Sequence, residues 1–262
     1  MERIELDGGD IVGLRADNPG PLTLTGTNSW IVGAPGWLID PGPALPAHVQ
    51  ALADELERRG GLGGIALTHD HADHSEAVAP LRRRFPQAPL AAARGDADVR
   101  LRDGTRFGPL ETLALPGHAV DHVVFLTGRV GFSGDAVLGR GSVFVAPGPG
   151  SLAGYLEGLR RLLARRPRLL CPGHGPPVED PDAKLAEYLA HRQERERRLR
   201  AAIAAGVRSV DELLDAAWAD IDPNLRPVAA ITLAAHLDKL AEEGRLPADV
   251  ERPALGEVHP AI

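Results

Sequence analysis

Apolar and polar positions along the chain follow two rhythms. Short apolar runs broken by Gly and Pro predict strands: residues 22–25, 28–33 and 36–40 as a hairpin-like set, then 64–67, 89–92 and 111–115. A hairpin of 122–126 and 129–132 around Thr127-Gly128 follows, and then 169–171. Between these runs the spacing turns helical. Val49, Leu52, Ala53 and Leu56 form one stripe over 46–59, stopped by Gly60 and Gly61, and Leu152, Tyr155, Leu156, Leu159, Leu162 and Leu163 form another over 152–164. Ser75 is placed to cap a further helix toward Leu81, and the polar segment 94–107 predicts an exposed stretch. Strands alternating with helices predict an α/β fold.

The last part of the chain reads differently. Residues 181–205 predict one long helix, with Leu185, Tyr188, Leu189, Leu199 and Ile203 apolar and a middle, 192–198, charged all round, as in a helix bridging two parts. Ser209-Val210-Asp211-Glu212 is a capping signature for a short helix ending at Trp218. Ile231, Leu233, Leu237 and Leu240 mark a third helix over 227–243, ended by Gly244, and 245–250 predicts a short wing. The expected organisation is a large domain at 1–180, a linker helix at 181–205 and a small C-terminal domain at 206–262.

Composition narrows the class. The 262 residues are 44% hydrophobic and 25% charged, which suits a globular protein. No apolar run approaches the ~20 residues of a membrane span, and residues 1–7 lack the basic and apolar regions of a signal peptide. With a single cysteine, Cys171, the expectation is a cytoplasmic protein without disulfides, Cys171 being a small buried residue. A net charge of −7 argues against gripping nucleic acid over the whole surface, though it leaves room for a local basic groove. Arginines cluster at 82–84, 94–106, 160–168 and 192–200, and most such runs are solvated helix faces. Nothing in the sequence specifies an oligomeric state.

The chemistry concentrates in Thr68-His69-Asp70-His71-Ala72-Asp73-His74, which directly follows an apolar strand. Imidazoles and carboxylates are the usual Zn²⁺ ligands, and a catalytic ion keeps one position open for water. His69 and His71, two apart on extended backbone, project the same way and can share an ion, whereas Asp73 and His74 follow the bend and can reach a second. Further downstream His118, Asp135 and His174 each follow a short apolar run and a Gly. Asp40, in Asp40-Pro41-Gly42, reads locally as a turn aspartate.

The His-X-His-X-Asp-His loop, with Pro116-Gly117-His118, Ser133-Gly134-Asp135 and Pro172-Gly173-His174 in order behind it, resembles the metallo-β-lactamase superfamily over roughly residues 20–180. The resemblance implies an αββα sandwich with two divalent metal ions, Zn²⁺ by its ligand types, at one sheet edge. It implies that one ion takes His69, His71 and His118, the other Asp73, His74 and His174, and that Asp135 bridges the two. Asp73 and Asp135 would be the catalytic carboxylates. Asp40 would support the histidine loop from behind, and His122 and Asp121 would stand beside the ligands rather than among them. The C-terminal helices resemble the winged-helix domain of the β-lactamase-like protein 2 subgroup, as do Asn18-Pro19-Gly20, Gly26-Thr27-Asn28 and His191-Arg192 with Glu194-Arg195. As the third helix carries only Lys239 as a clear cation, that domain is expected to shape the protein or its substrate site rather than to bind DNA.

The implied activity is hydrolysis by a hydroxide generated between two metal ions. The subgroup points to a phosphodiester in single-stranded RNA, although three Trp, two Tyr and five Phe leave few residues to stack bases. The alternative is a small-molecule thioester or lactone, as in glyoxalase II, where a Gly pair usually follows the last His; here Ser75-Glu76-Ala77 follows. β-Lactam hydrolysis is disfavoured for want of an export signal. A non-catalytic, metal-stabilised binding protein is a third reading, against which the complete ligand set stands.

Overall fold

Strands buried on both faces account for the unbroken apolar runs of the sequence. The computed structural model describes residues 2–255 and arranges twelve strands among them into two sheets. The first sheet runs in sequence order: β1 (Glu2–Leu6), β2 (Ile11–Arg15), β3 (Asn28–Val32), β4 (Gly36–Ile39), β5 (Leu62–Ala66), β6 (Leu90–Ala92) and β7 (Val99–Arg100). Its first four strands form an antiparallel meander, and the others add in parallel. The second sheet contains β8 (Arg106–Phe107), β9 (Leu110–Ala114), β10 (Val123–Thr127), β11 (Val130–Gly134) and, parallel to β11 at the edge, β12 (Leu169–Pro172).

Alternation along each strand sorts the side chains into layers. Trp30, Val32, Ile39, Ala66, Phe125, Phe132 and Cys171 pack between the sheets. Their neighbours Ile31, Leu38 and Ile65 face outward, onto Leu52 and Leu56 of α1 (Pro46–Arg58) and, beyond the single-turn α2 (Ala72–Ser75), onto Leu81 of α3 (Val78–Arg84). On the far side Val124, Leu126 and Leu170 meet Tyr155, Leu159 and Leu162 of α4 (Ser151–Ala164) and Leu185 and Tyr188 of α5 (Pro181–Ala204). The result is the αββα sandwich. Each fully buried Leu, Ile or Phe contributes about 1.5–3 kcal/mol, so these three apolar layers dominate its stability.

At its far end α5 leaves this core. Leu199, Ala202 and Ile203 join a separate apolar cluster with Leu213, Leu214 and Trp218 of α6 (Val210–Trp218) and Leu233, Leu237 and Leu240 of α7 (Arg226–Glu242). Ser209 caps α6 as its signature predicts, accepting the Glu212 N–H. Among the described residues no helix is long and apolar enough to cross a membrane.

Some expectations are corrected. Residues 22–25 are turns rather than a strand: Leu24 has a φ of 55°, and β3 takes β2 as its neighbour instead. Ser75 ends α2 and begins no helix, its hydroxyl donating back to the carbonyls of Asp70 and His71. The polar stretch 94–107 holds β7 and β8, with Leu101 and Phe107 buried. Residues 245–250, expected as a short wing, consist of turns and bends. The middle of α5 is not solvated all round, because Arg192 and Arg195 are buried.

Candidate metal centre

The strands that deliver the predicted residues end at one edge of the sandwich. Parallel pairing of β4 with β5, and of β11 with β12, brings their carboxyl ends together. Asp40 follows β4, the histidine loop follows β5, His118 lies beyond β9, Asp135 directly follows β11 and His174 lies just past β12. Glycine permits the last two approaches. At Gly134, whose φ is 47°, a Cβ would lie 2.5 Å from Thr68 Oγ1, and at Gly173 it would lie 2.4 Å from Asp135 Oδ1.

Hydrogen bonds fix which nitrogen of each ring is free. The Thr68 hydroxyl donates to Asp40 Oδ2 at 2.7 Å, so its oxygen accepts from His69 Nδ1, 2.9 Å away. Asp40 Oδ2 also accepts from His74 Nδ1 at 2.9 Å, and Asp40 Oδ1 accepts the Thr68 N–H at 2.7 Å. The Phe144 carbonyl accepts from His118 Nδ1 and the Gly26 carbonyl from His174 Nδ1, each at 3.4 Å. In four imidazoles the supporting contact is thus made through Nδ1, and Nε2 is the atom that faces the centre. His118 Nε2 lies 3.2 Å from His71 Nδ1, and His174 Nε2 lies 3.3 Å from both Asp73 Oδ2 and Asp135 Oδ2. His74 Nε2 is 3.5 Å from Asp73 Oδ2 and from Asp135 Oδ1.

This arrangement fits cations. His69 Nε2, His74 Nε2 and Asp135 Oδ1 are buried without a hydrogen-bond partner, a state that costs about 1–3 kcal/mol per group unless something fills the space between them. Ligand atoms of His69, His71 and His118 lie within 4.8 Å of one another, as do those of Asp73, His74 and His174. Asp40, His69 and His74 meet the same distance criterion, but Asp40 Oδ2 is already occupied by Thr68 and His74. Asp40, whose φ is 49°, thus spends this oxygen on the Thr68 hydroxyl and the His74 ring.

Charge separates the two sets. Burial lowers His118 to about 4 against the pull of Asp135, and burial together with His74 holds His71 low. Burial and the cluster of neighbouring imidazoles also keep His69 well below its ordinary value. Burial would lower His174 too, yet Asp135 raises it to about 9, and Asp135, Asp73 and Asp40 raise His74 well above the ordinary value. Burial opposes the charge on Asp135, but His174 and His74 hold its carboxyl well below the usual range.

His122 stands beside this set, its Nε2 accepting the Asp135 N–H at 3.0 Å and its ring 4.9 Å from that of His69. Asp121 is placed near Asp70 and Arg94, where burial and the Asp70 charge push it up to about 6. Supports not assigned from the sequence also emerge. Thr27 donates to Asp73 Oδ2 at 3.2 Å and is itself held by Asn18, while Asn28 donates to the carbonyls of Pro172 and Gly175 on either side of His174. The Asn18 and Gly26-Thr27-Asn28 motifs were visible in the sequence, but not what they touch.

A cavity of about 200 Å³ opens onto His71, Asp73, His118, Asp135 and His174. Its other walls are mainly apolar: Pro21, Leu22, Leu24, Leu138, Val143 and Phe144, with Leu225 and Val228 from the C-terminal region. Arg140 and Ser142 add polar groups. The Gly- and Pro-rich stretch after Asp135 thus forms a wall of the site.

Residues 94–174 match the family described as metallo-beta-lactamase superfamily, and residues 209–249 match the beta-lactamase associated winged helix domain. The chain is 30% identical over 255 residues to the lactamase-like protein adaB of Aspergillus niger, covering 87% of this chain and 79% of that protein. It is 30% identical to a beta-lactamase-like protein 2 homolog of Drosophila melanogaster, covering 87% of each. It is 31% identical to an atrochrysone carboxyl ACP thioesterase of Aspergillus fumigatus, covering 92% and 75%. Among solved structures it is similar to the metallo-beta-lactamase family protein TTHA1429 of Thermus thermophilus, with 26% identity, 90% and 94% coverage and a TM-score of 0.69. It is also similar to TTHA1623 in a di-iron-bound form, with 31% identity, 64% and 93% coverage and a TM-score of 0.51. With this sandwich, its His and Asp clusters and its C-terminal helices, the chain belongs to the metallo-beta-lactamase superfamily, as a metal-dependent hydrolase carrying the associated winged helix domain.

Proposed function

We propose that the centre holds two Zn²⁺ ions, one on His69, His71 and His118 and one on Asp73, His74 and His174, with Asp135 shared, and that it hydrolyses thioesters of apolar acyl groups. Imidazole and carboxylate donors suit zinc, and iron is the competitor that the di-iron neighbour brings forward. Bound there, the ions supply Lewis acidity and water of lowered pKa. The chain's own part is positional. Asp73, fixed by Thr27, orients the attacking water, and Asp40 and His122 hold the imidazole loop and the Asp135 backbone in place. The apolar wall seats the acyl chain and excludes bulk water from the reacting carbonyl.

The observation that carries the substrate reading is that wall, supported by the likeness to a carboxyl ACP thioesterase. Single-stranded RNA is the second reading, favoured by Arg140 at the cavity. The arginine clusters add little to it, since Arg82, Arg84, Arg161, Arg165 and Arg198 are each paired with a carboxylate. The test is thiol release from medium-chain acyl thioesters by zinc-loaded protein, beside cleavage of end-labelled single-stranded RNA, with Asp135→Ala in parallel. Thiol release by the parent and not the variant supports the thioesterase; RNA cleavage with that pattern, and no thiol release, replaces it with the phosphodiesterase.

A further inference from the structure

α5 carries a guanidinium whose placement the hydrolytic site does not explain. Arg192 is 2% exposed, and among the described residues no carboxylate lies within ion-pair distance of it. Its Nε has no partner. A buried, unpaired charge is costly, and it persists where its hydrogen bonds hold something in place. Arg192 Nη2 donates to the Val143 carbonyl and, at 3.0 Å, to Ser142 Oγ, while the guanidinium lies 5.6 Å from the centre of the Tyr155 ring. Directly after Val143 comes Phe144. Its carbonyl accepts from His118 Nδ1, and its ring lies 4.5 Å from the His118 imidazole. From the other side of the loop, Thr232 Oγ1 of α7 accepts the Val145 N–H at 3.3 Å.

We infer that Arg192 is a positioning residue for His118: with Thr232 it clamps residues 143–145, so that the Phe144 carbonyl keeps the proton on His118 Nδ1 and leaves Nε2 as the ligand atom. The C-terminal helices thereby act on one metal position and not the other, because the Asp73, His74 and His174 set takes its orienting bonds from Thr27, Asp40 and Gly26. The inference rests on the proposed role of His118 as a ligand.

The test is stepwise Zn²⁺ titration of metal-free full-length protein against a chromophoric chelator, for the parent, His118→Ala, Arg192→Met and Thr232→Val. In parallel, ¹⁵N histidine spectra read the His118 tautomer without metal. Partners of ligand histidines typically change metal affinity by 10–100-fold on removal. Arg192→Met is expected to weaken one Zn²⁺ equivalent by roughly that factor, leave the other unchanged and move His118 away from the pure Nδ1–H form. Thr232→Val should weaken the same equivalent by several-fold, and it decides the matter if Arg192→Met does not fold. The inference is overturned if the parent binds two equivalents and His118→Ala loses one, yet the clamp variants bind like the parent or weaken both equivalents alike. Two equivalents retained by His118→Ala overturn it together with the ligand assignment, and that pattern is distinct from the first.

Discussion

Two buried clusters among the described residues are rich in histidine, and only one brings His and Asp ligand atoms within reach of a common ion. At the sheet edge, carboxylate oxygens and Nε2 atoms converge, and several of them are buried without a hydrogen-bond partner. Between α5 and α7 lie His191, Arg192, Arg195 and His236, with Glu196 and Lys239 at the margin and Trp218 against His236. Here the groups are mostly donors. Arg195 reaches the Ala217 carbonyl and Asp220, and Arg195 Nε donates to His191 Nε2 at 3.1 Å. The same burial has opposite outcomes: beside Asp135 His174 rises to about 9, whereas burial and nearby cations push His191 down to about 4 and His236 to about 3. Buried histidine alone is therefore a poor sign of a metal site. What distinguishes one is a second nitrogen tied down by an acceptor and carboxylates on the open side.

The largest effect that would sharpen this contrast is loss of the shared carboxylate. Asp135→Ala should reduce hydrolysis by more than about a hundredfold, since even residues that only orient ligands cost 10–100-fold. His236→Leu should leave the zinc stoichiometry intact by elemental analysis, and metal lost from that variant would dissolve the distinction. Next comes Asp40→Asn, which removes the charge holding Thr68 and His74. Its zinc affinity should fall about 10–100-fold in a chelator competition, with the fold kept by circular dichroism.

A smaller effect belongs to the seam between the clusters. Tyr188→Phe leaves the buried Leu138 N–H without its acceptor at 3.0 Å and should cost about 1–3 kcal/mol in denaturant unfolding, with zinc stoichiometry unchanged. The smallest is a pH dependence. His236 stays neutral in the fold down to about 3 but takes a proton near its ordinary value of 6.5 when unfolded, so the unfolded chain binds more protons between those values. The contribution of a neutral His236 is complete above 6.5 and falls on acidification by up to about 1.4 kcal/mol per pH unit. His236→Leu should flatten that part of the parent's melting profile between about pH 7 and 5; identical slopes would show that His236 is solvated.

Much of the centre was legible because four of its residues sit in one loop and three follow a glycine at a strand end, an order that the family resemblance ties together. The αββα layers were legible for a similar reason: period-two apolar runs and period-3.6 stripes record burial locally. β1 and β2 went unread, as did the role of residues 94–107, because their strands are short or partly polar and are defined by their neighbours. Thr68 and Asn28 lie in motifs already noticed, yet their hydrogen bonds reach across 28 and 144 residues.

The sequence by itself determined the α/β alternation and the set of metal-competent side chains, since these follow from periodicity and side-chain chemistry, and its motifs carried the resemblance to the family. Only the tertiary structure decided which imidazole nitrogen faces the centre, that Asp40 bonds Thr68 and His74, and that a buried arginine on α5 bonds the loop beside His118. Those properties depend on donors and acceptors meeting across elements far apart in the chain, and such meetings exist only once the two sheets and the C-terminal helices have packed.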